Sequence, residues 1–229
     1  MAEIDRIQDR YRERDASVAL SGFWTLRNPV VLHIAQERER VVLQELARAG
    51  LDLSSVRLLD VGCGLGVEFA NLQRWGARTD GLVGVDLMHA RLMAARERSG
   101  AALVQASGSA LPFADASFDL VCQNVVFSSI VDDATRRATA CEMLRVLRPG
   151  GSVLWYDAFR TRSRDPHFRA VPRADVESLF PELSWSFRTL TTDVGIAARA
   201  ERLLGGWALP VLDGSRLLRT HLVGLGLRS

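Results

Sequence analysis

The sequence predicts an α/β fold, a mostly parallel sheet with helices on both faces. Two observations carry this expectation. From about Val56, apolar runs of strand length alternate with helical stretches. Strand, helix, strand at this spacing argues for a parallel sheet covered on both faces.

The elements follow in order. Residues 1–50 read as helical, and the second helix ends in a Val42, Leu43, Leu46, Ala47 stripe that stops at Gly50. Arg57–Val61, Leu82–Asp86, Ala102–Gln105, Phe118–Cys122 and Ser152–Tyr156 read as five successive strands. The helix before the fifth strand is capped by Asp132 or Asp133, and its Ala134, Ala138, Cys141 and Leu144 fall on one face. Arg148-Pro149-Gly150-Gly151 ends it. Residues 159–175, rich in Arg, Asp and Pro, read as a loop. Trp185–Leu190 and His221–Leu227 are expected as strands six and seven. Residues 1–50 form an N-terminal helical lid and residues 51–229 the ligand-binding domain of one compact unit.

Composition narrows the function classes. With 229 residues, 48 % hydrophobic and 24 % charged, the chain is an ordinary globular one, neither disordered nor fibrous. No apolar run approaches a membrane span, and the charged N-terminus lacks a secretory signal. Cys63, Cys122 and Cys141 are odd in number, widely spaced and without a C-x-x-C pair. Neither disulfides nor a metal site is expected, and a cytoplasmic location fits. A net charge of +2 gives no reason to expect a nucleic acid, and no membrane partner is expected. All the basic residues are Arg, which reads first as codon usage and second as anion recognition.

The sharpest signal is Asp60-Val61-Gly62-Cys63-Gly64-Leu65-Gly66, which follows the first strand and opens a helix. Glycines let the backbone turn tightly and approach a ligand, and the helix N-terminus presents free N–H groups to it. Twenty residues beyond Gly66, Asp86 closes the second strand, where a carboxylate meets the hydroxyls of a bound ribose. A dinucleotide site is the rival reading. Its G-x-G-x-x-G needs glycine where this chain has Val67, and Asp60 would repel a pyrophosphate while suiting a cationic ammonium or sulfonium.

These residues resemble the class I S-adenosylmethionine (SAM) dependent methyltransferases. Leu58-Leu59-Asp60-Val61-Gly62-Cys63-Gly64-Leu65-Gly66 resembles the first motif of that family and Val85-Asp86-Leu87 its ribose-binding element. Ala110-Leu111-Pro112-Phe113 with Ser117–Val121 resembles the third-loop and fourth-strand signature, and Glu142–Gly151 the helix and turn before strand five. Asn28-Pro29, Gln36–Arg40, Val126–Asp133 and Trp155-Tyr156-Asp157 resemble the narrower bacterial "type 11" group, associated with glycan and secondary-metabolite pathways. The resemblance implies a Rossmann-like sheet of seven strands, the last antiparallel, with SAM bound at the strand ends and S-adenosylhomocysteine as product. It assigns cofactor contacts to Asp60, Gly62, Cys63, Gly64, Gly66, Asp86, Leu87 and Asn124. Where the family often has Asp for the adenine amino group, this chain has Ser107, and Ser107, Gly108 and Ser109 take that place.

The acceptor is expected beyond strands four and five, under the lid. Asp157 and His33 are the candidate catalytic groups, as base or anchor, with His167 and His221 behind them. Trp24, Tyr156 and Arg160 are the candidate acceptor-binding residues. Arg160, Arg162, Arg164, Arg169 and Arg173 form a cluster suited to phosphate or carboxylate. Gln123-Asn124-Val125-Val126 differs from the motif of enzymes that methylate amino groups of DNA bases or glutamine. The expectation is methyl transfer to a hydroxyl of a small-molecule secondary metabolite or sugar by a monomer or homodimer. Methylation of RNA or protein, and SAM binding without catalysis, are the alternatives left open.

Overall fold

The computed structural model describes residues 2–17 and 22–229, so Met1 and positions 18–21 of the expected lid lie outside the described residues. Seven strands form one sheet: β1 (Leu58–Val61), β2 (Leu82–Asp86), β3 (Ala102–Gln105), β4 (Phe118–Asn124), β5 (Leu147–Ala158), β6 (Leu183–Thr192) and β7 (Arg219–Arg228). Their spatial order is β3-β2-β1-β4-β5-β7-β6. The first five run parallel, and β7 lies antiparallel between β5 and β6. The chain reverses direction across the sheet between β1 and β4, and a crevice opens outside the carboxyl ends of strands at such a point.

Eight helices accompany the sheet among the described residues: α1 (Ala2–Ala16), α2 (Pro29–Arg48), α3 (Val67–Arg74), α4 (His89–Ser99), α5 (Asp133–Val146), α6 (Arg173–Leu179), α7 (Val194–Leu204) and α8 (Ala208–Asp213). Two core clusters divide them between the faces. On one face Val42 and Leu46 of α2, Phe69 and Leu72 of α3 and Leu92 of α4 pack on Leu58, Leu82 and Leu154. On the other, Ala140, Met143 and Leu144 of α5 and Val176 of α6 pack on Val121, Val153 and Trp155. A mostly parallel sheet with helices on both faces is thus observed.

Several boundaries differ from the sequence expectation for local reasons. Asp132 caps α5, its Oδ2 accepting the Thr135 N–H at 2.7 Å. The predicted loop 159–175 ends early because Pro172 starts α6 at Arg173. β6 and β7 are longer than their apolar runs, since an antiparallel ladder continues through the polar residues at both ends. The expected lid 1–50 divides. Asn28 caps α2, accepting the Val30 N–H at 3.0 Å, with Pro29 in the first turn. The helix then packs across β6 and β7 as part of a face of the sheet, while α1 lies over the strand ends.

Gly84 decides how closely this face packs. A Cβ there would lie 2.5 Å from Phe69 Cζ and 2.8 Å from Cys63 Sγ, so only glycine lets α3 settle against β2 beside the glycine loop. Gly84→Ala is expected to destabilise the protein by about 1–3 kcal/mol through overpacking, read from the midpoint of urea unfolding.

Candidate active site

The glycine loop leaves β1 under tight control. The Gly62 and Cys63 N–H groups both donate to the Val85 carbonyl, at 2.7 and 3.0 Å, which ties the loop to β2. Gly62 has φ +75°, and a Cβ there would stand 2.5 Å from Val126 Cγ2, so both backbone and space require glycine. The Gly64 N–H donates to Asp86 Oδ2 at 2.9 Å and the Met88 N–H to Asp86 Oδ1 at 2.8 Å. Each Asp86 oxygen keeps a further lone pair, and Asp86 stands on the wall of a cavity.

That cavity measures about 740 Å³ counted out to its open mouth, a size that suits a cofactor or small molecule. Six of the expected cofactor residues line it: Gly62, Asp86, Leu87, Ser107, Gly108 and Asn124. Asp60, Cys63, Gly64, Gly66 and Ser109 are not on its wall. Ser109 instead holds Ser107, their hydroxyls 2.8 Å apart. The far wall is apolar, with Val126 and Ile130, and Thr139 of α5 closes the end.

Beneath the loop lies a buried charge network that the sequence did not disclose. Arg38 of α2 donates to both oxygens of Glu68, in the first turn of α3, at 2.9 and 2.7 Å. Glu68 also accepts from Asn71 at 3.3 Å and from Asn124 Nδ2 at 3.4 Å. Burial opposes both charges. The Arg38 guanidinium nevertheless holds the Glu68 carboxyl below its usual range, and Glu68 holds Arg38 above its own. Asp60 is pushed well above the carboxylate range, first by burial and then by the Glu68 charge. Its Oδ1 is buried without a partner among the described residues.

The cavity is roofed by α1, whose Ile4, Ile7 and Tyr11 point into it. The helix is strapped to both rims. Gln8 donates to the Leu87 carbonyl at 3.4 Å and Arg91 to Asp15 at 2.9 Å on one side. On the other, Arg6 donates to the Ser129 carbonyl at 2.6 Å, and Glu3 accepts the Val131 N–H at 2.7 Å. The i, i+3, i+7 spacing of Ile4, Ile7 and Tyr11 was a legible signal. The Arg38–Glu68 pair, 30 positions apart, has no local pattern that could have shown it.

The residues expected on the acceptor side are placed away from this cavity. Asp157 is 0 % exposed; its Oδ2 accepts the Ser128 N–H at 3.1 Å and its Oδ1 the Ala158 N–H at 2.8 Å. It supports the turn that carries Ser129 and Ile130 rather than reaching the cavity. Burial pushes its carboxyl up to about 6. His33 Nε2 lies 2.7 Å from Asp213 Oδ2, on the α8 side of α2. Trp24 is 49 % exposed and packs edge-on against Phe23. Tyr156 is buried, its hydroxyl 3.0 Å from Thr191 Oγ1 and its ring stacked on His221, whose imidazole burial depresses to about 4. Arg160 donates to the Arg219 and Arg216 carbonyls. The arginine cluster does not converge either, since Arg169 pairs with Asp133 at 2.6 Å and Arg173 with Glu177 at 2.9 Å.

A glycine loop and an acidic strand end that meet on one cavity, at the switch point of a β3-β2-β1-β4-β5-β7-β6 sheet, define a nucleoside-binding α/β domain. The chain belongs to the class I SAM-dependent methyltransferases. A family model described as a methyltransferase domain matches residues 59–155. A demethylmenaquinone methyltransferase of a Mycobacterium species is 31 % identical over 164 residues, 66 % of this chain and 67 % of that protein. A malonyl-[acyl-carrier protein] O-methyltransferase of Erwinia pyrifoliae is 40 % identical over 116 residues, 49 % of this chain and 40 % of that protein. The structure of a putative sarcosine dimethylglycine methyltransferase from Galdieria sulphuraria superposes with a TM-score of 0.65 at 16 % identity, covering 87 % of this chain and 88 % of that one. The chain spans 40 % to 64 % of the length of several curated relatives that it matches.

Two outcomes follow from the buried charges. Arg38→Met leaves Glu68 buried without its partner and is expected to cost about 3–5 kcal/mol in chemical unfolding. Asp157 holds its proton in the folded state between roughly pH 4 and pH 6, where the unfolded chain loses it. Its contribution to stability therefore falls as pH rises through that window, by about 3 kcal/mol in total. The difference in unfolding free energy between wild type and Asp157→Asn, followed from pH 4 to pH 7, should show that slope.

Proposed function

We propose that the chain transfers the methyl group of SAM to an oxygen of a small-molecule acceptor. The observation that carries this reading is the meeting of Gly62, Asp86 and Asn124 on one cavity under the apolar roof of α1. The residues fit the cofactor. Gly62 leaves a cradle that a Cβ would fill, and the unpartnered Asp60 Oδ1 places latent negative charge beneath the loop, suited to an ammonium group. Asp86 would accept from the ribose hydroxyls, Leu87 would cover the adenine, and Ser107 and Gly108 would edge it. SAM supplies a methyl group already activated by its sulfonium.

The task left to the chain is alignment and exclusion of water, and alignment alone can supply much of the acceleration. Ile4, Ile7 and Tyr11 dry the cavity from above, and Glu68 fixes Asn124 at the end of β4. Oxygen as the accepting atom is supported by Gln123-Asn124-Val125-Val126, which departs from the amino-methylating motif, and by the O-methyltransferase of Erwinia pyrifoliae among the relatives. No helix among the described residues is long and apolar enough to cross a membrane.

S-adenosylhomocysteine at 100 times its dissociation constant is expected to stabilise the wild type by about 2.7 kcal/mol. For a chain of this size that is a rise in thermal midpoint of roughly 5–11 °C. Asp86→Ala should abolish the rise. No rise in the wild type, or one produced by NADH instead, would remove this reading.

A further inference from the structure

The roof helix carries two stripes. Ile4, Ile7 and Tyr11 face the cofactor cavity. Arg6, Arg10 and Arg14, spaced i, i+4, i+8, face a second cavity of about 420 Å³ counted to its mouth, completed by Ser129 and the segment from Asp165 to Phe168. The two cavities share Ile7, Tyr11 and Ser129, so the second opens directly beside the first.

The polar groups of this second cavity are chiefly donors. Arg6 is the fixed member: it pairs with Glu3 at 2.8 Å and donates to His167 Nδ1 at 3.1 Å. The Tyr11 hydroxyl and Ser129 Oγ lie 3.1 Å apart. Arg10 touches Asp165 at 2.7 Å and, more loosely, Glu13 at 3.6 Å. Arg14 meets no carboxylate among the described residues, its guanidinium standing 5.8 Å from the centre of the Tyr11 ring. With Arg6 paired to Glu3, Arg10 and Arg14 face a single carboxylate on the wall, Asp165. That carboxylate is already engaged by Arg10 and by the His167 N–H at 2.9 Å. Guanidinium forks match the geometry of a carboxylate.

Among the described residues that line the cavities, Asp86 is assigned to the ribose and His167 Nδ1 already accepts from Arg6. Asp157 is sealed beneath Ser128, His33 is paired with Asp213, and Asp165 is held by its donors. A hydroxyl acceptor usually needs a base within reach, whereas a carboxylate is already ionised at neutral pH.

We propose that the acceptor is a carboxylic acid, held as its anion by Arg10 and Arg14 in this side cavity and methylated on a carboxylate oxygen. The proposal rests on the SAM reading above and replaces the expected hydroxyl with a carboxylate. A lone pair of the carboxylate oxygen forms the new C–O bond, the C–S bond breaks, and its electron pair stays on sulfur. The products are a neutral methyl ester and a thioether, and no proton moves. The ester has lost the charge that the arginines hold, which favours its release.

The test uses SAM with a tritiated methyl group and three matched acceptors: octanoate, octanol and octyl phosphate. Octanoate is expected to give a product that releases volatile methanol in mild base. It should also raise the thermal midpoint of the wild type saturated with S-adenosylhomocysteine. Arg10→Ala/Arg14→Ala should raise KM for octanoate about 10- to 100-fold, the value of lost charge-assisted hydrogen bonds, and affect kcat less. The same variant should lose the octanoate-induced midpoint rise while keeping that produced by S-adenosylhomocysteine. Base-stable methylation of octanol or octyl phosphate, or octanoate neither binding nor reacting while S-adenosylhomocysteine binds, would overturn the carboxylate assignment. Failure of S-adenosylhomocysteine itself to bind would overturn the reading beneath it.

Discussion

One buried ion pair underlies the arrangement of the site. Arg38 reaches from α2 to both oxygens of Glu68, and through Glu68 it governs the first turn of α3 and the side chain of Asn124. Its guanidinium also lies 4.8 Å from the centre of the Tyr156 ring. Two acidic residues, Asp60 and Glu68, are buried under the glycine loop. Without a cation between the helices the buried Glu68 carboxylate would stand uncompensated beneath the segment that must stay in register with β2. A buried pair of this kind is weak evidence for stability but strong evidence for placement, because neither partner can leave without stranding the other. The glycine loop is thereby supported from an N-terminal helix that lies outside the strand–helix alternation.

The second determining feature is the division of labour between the first two helices. α2 is a structural member of the sheet's face, with Val42 and Leu46 in the core. α1 buries only a narrow apolar stripe and relies on hydrogen bonds to both rims of the cleft. An element held by polar contacts at its edges opens more readily than one held by a core, as access to a roofed cavity requires. The turn after β4 works to the same end. Val125, a β-branched residue, takes φ +57°, held there by its N–H on the Tyr156 carbonyl at 2.8 Å and by Gln123 Oε1, which accepts the Val126 N–H at 3.0 Å. The turn presses Val126 against Gly62, and Asp157 supports it from below through Ser128.

Much of the fold was legible because it depends on short-range pattern. Short apolar-rich runs marked the parallel strands, and the glycine loop with Asp86 marked the ligand end of β1 and β2. The strand ends were less legible, because pairing from Arg219 to Arg228 continues past the apolar run that announced β7. The residues expected on the acceptor side lie off the first cavity for a related reason. Asp157 and Tyr156 follow a strand that ends near the site, but the alternation of side chains along β5 directs Tyr156 into one core and Asp157 beneath Ser128. His33 met its partner 180 residues away, in α8.

By itself the sequence determined the parallel αβ alternation, the glycine loop and the carboxylate twenty residues beyond it, since each is a local preference of backbone or burial. Only the tertiary structure decided which charges lie together. It set Arg38 against Glu68 and left Asp60 Oδ1 without a partner among the described residues. It sealed Asp157 from the cavity and turned the Arg6, Arg10, Arg14 stripe of α1 toward a space beside the cofactor cavity. Electrostatic partners are chosen by distance in space and by the loss of water around them, and neither quantity is written in the spacing of residues along a chain.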